Sequence, residues 1–232
     1  MSAVHLQNVS FAYERNAPLL QVGELLIEEG ERVFLHGPSG SGKTTLLGIV
    51  AGVLRATTGS VRVLGKDLSH MSPAARDRHR GAEMGYIFQS FNLIPYLSVR
   101  ENIALPCHVH ARRMKRITAS TLDGEVARIA ERLDIEEFLH RPVTKLSTGQ
   151  QQRVAIARAV IGAPRLVIAD EPTSSLDRDR QENFLRLLIE VCNEARATLI
   201  FVSHDNSLMS RFERHISVSE INRANATQVH SC

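Results

Sequence analysis

Cysteine is scarce and scattered: three residues, Cys107, Cys192 and Cys232, odd in number and without CxxC spacing. That excludes a disulfide framework and a zinc-finger arrangement, and reduced thiols in a cytosolic setting are the expectation. Long apolar runs are missing too. No window approaches the roughly 18 uninterrupted apolar residues of a membrane span, and the first residues read as a strand rather than a basic-then-apolar leader. Charge of one sign is also in short supply. Lys and Arg number 28 against 25 Asp and Glu, and no long basic run concentrates the surplus of +3, which argues against nucleic acid as a partner. The densest basic stretch, Arg112-Arg113-Met114-Lys115-Arg116, reads as a solvated loop; a surface near anionic lipid headgroups is the sharper alternative. Internal repeats and low-complexity segments are absent as well. What is present is ordinary in proportion. A length of 232 residues with 43% hydrophobic content suits one large α/β domain, or one carrying an inserted lobe, and 23% charge is too average for wholesale disorder.

Periodicity divides the chain. Residues 4–11 mix β-branched and polar positions as a strand does, 25–27 offer a short second strand, and 32–36 form an apolar run ending in a glycine-rich turn. A helix follows over 43–50, with Leu46, Leu47 and Val50 on one face, then strand candidates at 61–64 and 84–88. From about Asn92 to Arg141 strand signals vanish. Leu122, Val126, Ile129, Ala130 and Leu133 trace an amphipathic helix, and 153–161 a second. Residues 91–162 therefore read as a helical subdomain set into a core built from 1–90 and 163–232. The nearly continuous apolar runs at 166–169 and 198–202 have the look of parallel strands covered on both faces, with a helix carrying Phe184, Leu187, Leu188 and Val191 between them. The tail after about Glu220 is polar and reads as loose.

The strongest chemical signal is Gly37-Pro38-Ser39-Gly40-Ser41-Gly42-Lys43-Thr44-Thr45, which matches GxxxxGK[ST] and lies between an apolar strand and an amphipathic helix. Glycines let successive amide N–H groups turn inward onto phosphate, and the helix that follows adds its positive end. Lys43 brings a point charge to the β- and γ-phosphates of ATP, and Thr44 offers a hydroxyl to Mg²⁺. Asp170 and Glu171 end an apolar run. Ligands of open α/β sheets bind beyond the carboxyl ends of strands, so this pair is expected beside the phosphate loop. Asp170 suits the Mg²⁺ shell, and Glu171 could orient or deprotonate the attacking water; capping of the next helix is the plainer alternative for both. His108 and His110 beside Cys107 invite a metal reading that has no fourth ligand.

Leu146-Ser147-Thr148-Gly149-Gln150, followed by Gln151-Gln152-Arg153-Val154-Ala155-Ile156-Ala157-Arg158-Ala159, resembles the signature motif and helix of the ABC ATPases, and the likeness runs in that family's order over nearly the whole chain. It implies a P-loop NTPase (RecA-like) α/β core with a mainly parallel sheet, an N-terminal antiparallel β part and an inserted α-helical subdomain. By the same resemblance Tyr13 stacks on adenine, Gln89 is the Q-loop glutamine near metal and water, Ser175-Leu176-Asp177 is the D-loop, and His204 is the switch histidine. Two copies would meet head to tail around two ATPs. Each site would take its phosphate loop, Gln89, Asp170, Glu171 and His204 from one copy, and Ser147, Gly149 and Gln150 from the other. The physical logic is legible on its own. Ser147 can donate to phosphate, Gly149 permits close backbone approach, the helix N-terminus favours an anion, and a nucleotide that binds the closed pair better drives closure. One departure stands out: Thr148 occupies a signature position that is usually glycine, which is expected to weaken or reposition ATP without abolishing activity.

Phe91, Leu93, Ile94, Tyr96 and Leu97 crowd a proline-broken segment after Gln89. This segment, the preceding Gly85-Tyr86-Ile87-Phe88-Gln89, and His204-Asp205-Asn206 are similar to the ATPases of lipoprotein-releasing and macrolide-exporting systems. The resemblance implies a partly exposed apolar groove that receives a short helix from an integral membrane permease subunit, at the cytoplasmic face of the inner membrane. It also implies mechanical work directed at export or at lipoproteins. No appended regulatory domain, second cassette or coiled-coil insert is expected. An ATPase that regulates a membrane partner of the cell wall or of division, with no cargo, is the second reading, and a nucleic-acid ATPase the third.

Overall fold

The computed structural model describes residues 1–13, 18–117, 119, 121–174 and 176–224. Ser175 of the expected D-loop, Cys232 and most of the polar tail lie outside the described residues. In chain order the elements are β1 (Ser2–Phe11), β2 (Leu20–Glu28), β3 (Arg32–His36), α1 (Lys43–Val50), β4 (Thr58–Val63), β5 (Lys66–Asp67), α2 (Pro73–Glu83) and β6 (Met84–Ile87). They continue with α3 (Val99–Val109), α4 (Ala111–Lys115), α5 (Leu122–Arg132), α6 (Thr148–Val160), β7 (Leu166–Asp170), α7 (Arg178–Glu194), β8 (Thr198–Val202), β9 (Arg214–Ser217) and α8 (Val218–Ile221). The chain gathers into two compact units, residues 1–80 with those from 198 on, and residues 81–197. Among the described residues no helix is long and apolar enough to cross a membrane.

The first unit holds an antiparallel part and a parallel part. β1 pairs antiparallel with β2 on one side and β4 on the other, and β4 turns back into β5. Alternation on β1 buries Val4 and Leu6, an irregularity between Gln7 and Ser10 shifts its phase so that Val9 and Phe11 are buried beyond it, and register sets Leu6 between Leu25 and Val61. β2 is longer than its apolar centre because pairing with β1 carries polar Gln21 and Glu24 along. β3 runs parallel to β8 and to β9, with Leu35 level with both Val202 and Ile216. All five residues of β8 are buried, and Phe34, Phe201 and Phe212 cluster at ring separations of 5.3–6.1 Å.

In the second unit β6 and β7 are parallel neighbours, Ile87 level with Ala169. α6 lies against β6 at backbone distance: a Cβ on Gly85 would stand 2.1 Å from the Ala159 carbonyl oxygen, so only glycine fits. α3 opens with a full capping box between Ser98 and Glu101, and α5 buries Val126, Ile129 and Ala130 behind a Thr121 cap.

The basic stretch 112–116 is not a solvated loop. It belongs to α4 and the turn after it, and Arg113 is buried. The Arg113 guanidinium donates to the carbonyls of Gly81 (2.9 Å), Ile161 (2.9 Å), Ala159 (3.3 Å) and Met84. Loss of water around it pulls its pKa down to about 10. Arg112 and Arg116 both pair with the buried carboxylate of Glu83. A count of charges in sequence cannot tell a guanidinium that faces water from one that finds four carbonyls inside. His110 packs over Gly81 so closely that a Cβ there would lie 1.8 Å from its Nε2, while Cys107 is buried and His108 exposed. This accounts for the cluster by packing. Burial raises the thiol pKa of Cys107, and that of Cys192 to about 12.

Replacing Arg113 with Met keeps the stem but removes the guanidinium that donates to four carbonyls. The expected loss is about 2–4 kcal/mol of unfolding free energy, read as a lower urea midpoint. A midpoint equal to the parent's would show that the carbonyls find other donors.

Candidate functional site

In the first unit the loop 37–42 leaves the end of β3 and enters α1 at Lys43. Gly42 caps that helix in the left-handed region, φ +100°, with no side-chain cap. The leading amides of α1 are thus left for something outside the helix. Pro38, Ser39 and Gly40 form an exposed rim, while Ser41 and Thr45 are buried and Thr44 is exposed on the first turn. The Lys43 ammonium folds back over the loop, donating to the carbonyls of Gly37 at 2.8 Å and Pro38 at 3.2 Å. The buried hydroxyl of Ser41 has no hydrogen-bond partner. Open amides, an uncapped helix start, an orphaned hydroxyl and an ammonium at the mouth fit a polyphosphate. β8 ends level with β3, and the Ser203 amide donates to the Leu35 carbonyl at 3.3 Å. His204, exposed, therefore emerges at the same carboxyl edge from which the loop departs. Tyr13 lies just past β1 with its ring 72% exposed and edge-on to Phe11 at 4.9 Å, a surface free to stack.

In the second unit Asp170 is the last residue of β7, and Glu171 follows with φ +46°. A glutamate held left-handed is costly, on the order of 1 kcal/mol or more, and such strain collects at functional turns. Gln89, exposed, leaves the neighbouring strand at the same carboxyl edge, because the register of Ile87 with Ala169 carries on toward Gln89 and Glu171. One residue here has no role assigned by its sequence context. The Tyr86 hydroxyl donates to Asp170 Oδ2 across 3.4 Å, and its ring stacks on Phe88 at 4.3 Å. Burial, then the Asp170 charge, push the phenol pKa well above its usual value, so it stays a donor. The two partners are 84 residues apart in sequence, which leaves no local signal.

The signature residues stand at the start of α6. Ser147 is the N-cap: its Oγ accepts from the Gln150 amide at 3.3 Å, and the Gln150 side chain accepts from the Ser147 amide at 2.9 Å. Gln150 thus serves its own helix, while the Ser147 hydroxyl hydrogen is left over. A Cβ on Gly149 would meet nothing within 4 Å. Its own fold does not need that glycine, and the space before it is open. Ser147, Thr148, Gly149 and Gln150 line a cleft of about 660 Å³ together with Arg153 and Arg180. Asp177 caps α7, accepting from the Arg180 amide at 3.0 Å. The predicted residues thus gather in three places: Gly37 to Thr45 with His204 in the first unit, Gln89 with Asp170 and Glu171 in the second, and the signature beside Asp177's helix, also in the second.

The family model of the ABC transporter matches residues 20–174. The chain is 39% identical over 210 residues to the uncharacterized ABC transporter ATP-binding protein YbbA of Escherichia coli, covering 90% of each chain. It is 40% identical over 201 residues to the lipoprotein-releasing system ATP-binding protein LolD of Anaeromyxobacter dehalogenans, covering 87% of this chain and 82% of that one. Among solved structures, the dimeric post-hydrolysis state of the ATP-binding cassette MJ0796, bound to ADP and Pi, is 32% identical, with a TM-score of 0.78 over 92% of this chain and 93% of that one. With an uncapped phosphate loop, an acidic strand end and a signature helix in one chain, and with these relatives, the protein belongs to the ABC transporter family and is an ATP-hydrolysing cassette of the P-loop α/β class.

Proposed function

We propose that this ABC transporter ATP-binding subunit works as a head-to-tail pair whose ATP-driven closure moves permease subunits, and that the work is export or lipoprotein-directed. The observation that carries the pairing is the free half-site at α6: an exposed Ser147 with an unused hydroxyl hydrogen, and a Gly149 with open space before it. A helix start prepared for an anion, at the surface, asks for a phosphate brought by another molecule. A second copy brings one on its own loop 37–42.

The division of labour follows from the residue types. Tyr13 stacks on the base, the loop amides and Lys43 hold the β- and γ-phosphates, and Ser147, Gly149 and Gln150 of one copy close on the nucleotide of the other. Mg²⁺, with Thr44, Asp170 and Gln89 as its oxygen donors, would neutralise charge on the phosphates. Glu171 takes the proton of the attacking water, Gln89 and His204 orient that water and the γ-phosphate, and Asp177 reaches toward the facing copy. Thr148 adds a methyl and a hydroxyl where close approach is needed, weakening the sandwich without preventing it.

The permease side is the segment 91–98. Phe91 is buried, Leu93, Ile94 and Leu97 are half-buried, and Tyr96 is 84% exposed. The buried amide of Asn102 holds this loop still, bonding Ile94 N and O, Leu97 O and Ser98 O at 2.8–3.3 Å. A rigid rim with an exposed aromatic suits a short helix from a membrane subunit and supports a reading in which the pair works at the cytoplasmic face of the inner membrane. Similarity to LolD supports lipoprotein-directed or export work.

Glu171→Gln should bind ATP as the parent does and turn over slower by about 10²–10⁴, and it should run as a dimer on size exclusion only with Mg-ATP. Parental turnover, or a monomer with Mg-ATP both alone and beside the copurified permease, would overturn the proposal. Lys43→Ala should weaken ATP binding by about tenfold or more in calorimetry, since a charged contact to phosphate is lost. An unchanged affinity would remove Lys43 from the phosphate site.

A further inference from the structure

The polar tail expected to be loose begins with a buried anchor. Asn222, directly after α8, is 2% exposed. Its Nδ2 donates to the Ser41 carbonyl at 3.0 Å and to the Leu19 carbonyl at 3.0 Å. Its Oδ1 accepts from the amides of Gln21 at 2.9 Å and Ala224 at 3.1 Å. Two donors and two acceptors use the side-chain amide fully. The network also fixes its orientation, since a flipped amide would set an oxygen against two carbonyls.

We propose that Asn222 is a positioning residue for the phosphate loop: by holding the Ser41 carbonyl it aims the Gly42 amide into the anion cradle. The inference rests on the phosphate-site reading given above. A trans peptide points its C=O and its N–H in opposite directions. Anchoring the carbonyl of Ser41 outward therefore turns the N–H of Gly42 inward. The anchor also packs close to Gly42 itself, since a Cβ there would be 3.3 Å from Asn222 Nδ2. Leu19 and Gln21, held by the same side chain, fix the start of β2 to the loop, and the Arg223 amide donates to the Gln21 carbonyl at 2.8 Å to complete the clasp. A loop whose amides are already aimed binds phosphate without the ordering cost that a slack loop incurs.

The test is Asn222→Asp, which keeps the shape and replaces both donors by an oxygen. ATP affinity should fall about tenfold by calorimetry, with KM raised in proportion and kcat within about threefold of the parent, as for lost preorganisation rather than lost chemistry. Arg113→Met, destabilised in the other compact unit, serves as the control and should bind ATP at parental affinity. If Asn222→Asp does not fold, Asn222→Ser is measured against the same criterion. Parental affinity in the Asn222 variant, while Lys43→Ala has lost binding, would overturn this inference and leave the phosphate site standing. Parental affinity in Lys43→Ala as well would instead remove the phosphate-site reading on which it rests.

Discussion

A helix whose first amides have no partner of its own is an unfinished structure. α1 begins at a left-handed glycine that has no side chain with which to cap it, and the loop before it turns an ammonium and a buried hydroxyl toward the same place. The leading amides and the Ser41 hydroxyl have no partner in the fold, while the Lys43 ammonium rests on two loop carbonyls, an arrangement that fits polyphosphate. Much of the remaining architecture serves to keep that arrangement from relaxing. β3 delivers the loop from between two parallel strands, and their level ends set His204 at the same edge. A clasp from the far end of the described chain grips the loop's back.

The same incompleteness recurs at α6. There the cap is present, but it is shared so that Gln150 serves the helix and the Ser147 proton is spare. Two unfinished helix starts in one chain, one with its own loop and one without, have a simple joint solution when two copies face each other. In the proposed head-to-tail pair ATP would be the missing structural element of both, and binding could do mechanical work because the closed pair would have fewer unmet hydrogen bonds.

Stability and chemistry draw on different interactions. In the second unit a buried arginine ties the entry of β6 to the end of α6 through carbonyls, and a bare glycine lets the helix lie on the strand. These contacts touch no nucleotide group. Glu171, in the turn after β7, is one of eight non-glycine residues held at positive φ among the described residues.

Chain order alone determined the phosphate loop, the acidic strand end, the signature and most strands and helices, because each depends on residues within a few positions of one another. α1 matches its expected span, 43–50, for that reason: an apolar stripe and a glycine-rich entry are local properties. β2, α4 and the segment after α8 were misjudged for the opposite reason. β2 is extended by a partner strand, Arg113 is buried by carbonyls that come from β6 and α6, and Asn222 is anchored by residues up to 203 positions away. Asn222 lies in no motif and Tyr86 in a stretch that gives it no role; only the fold brings a phenol to Asp170 and an amide to Ser41. Local spacing encodes which chemistry is possible, whereas which polar group is buried, and against what, is set by contacts that exist only once the chain has closed on itself.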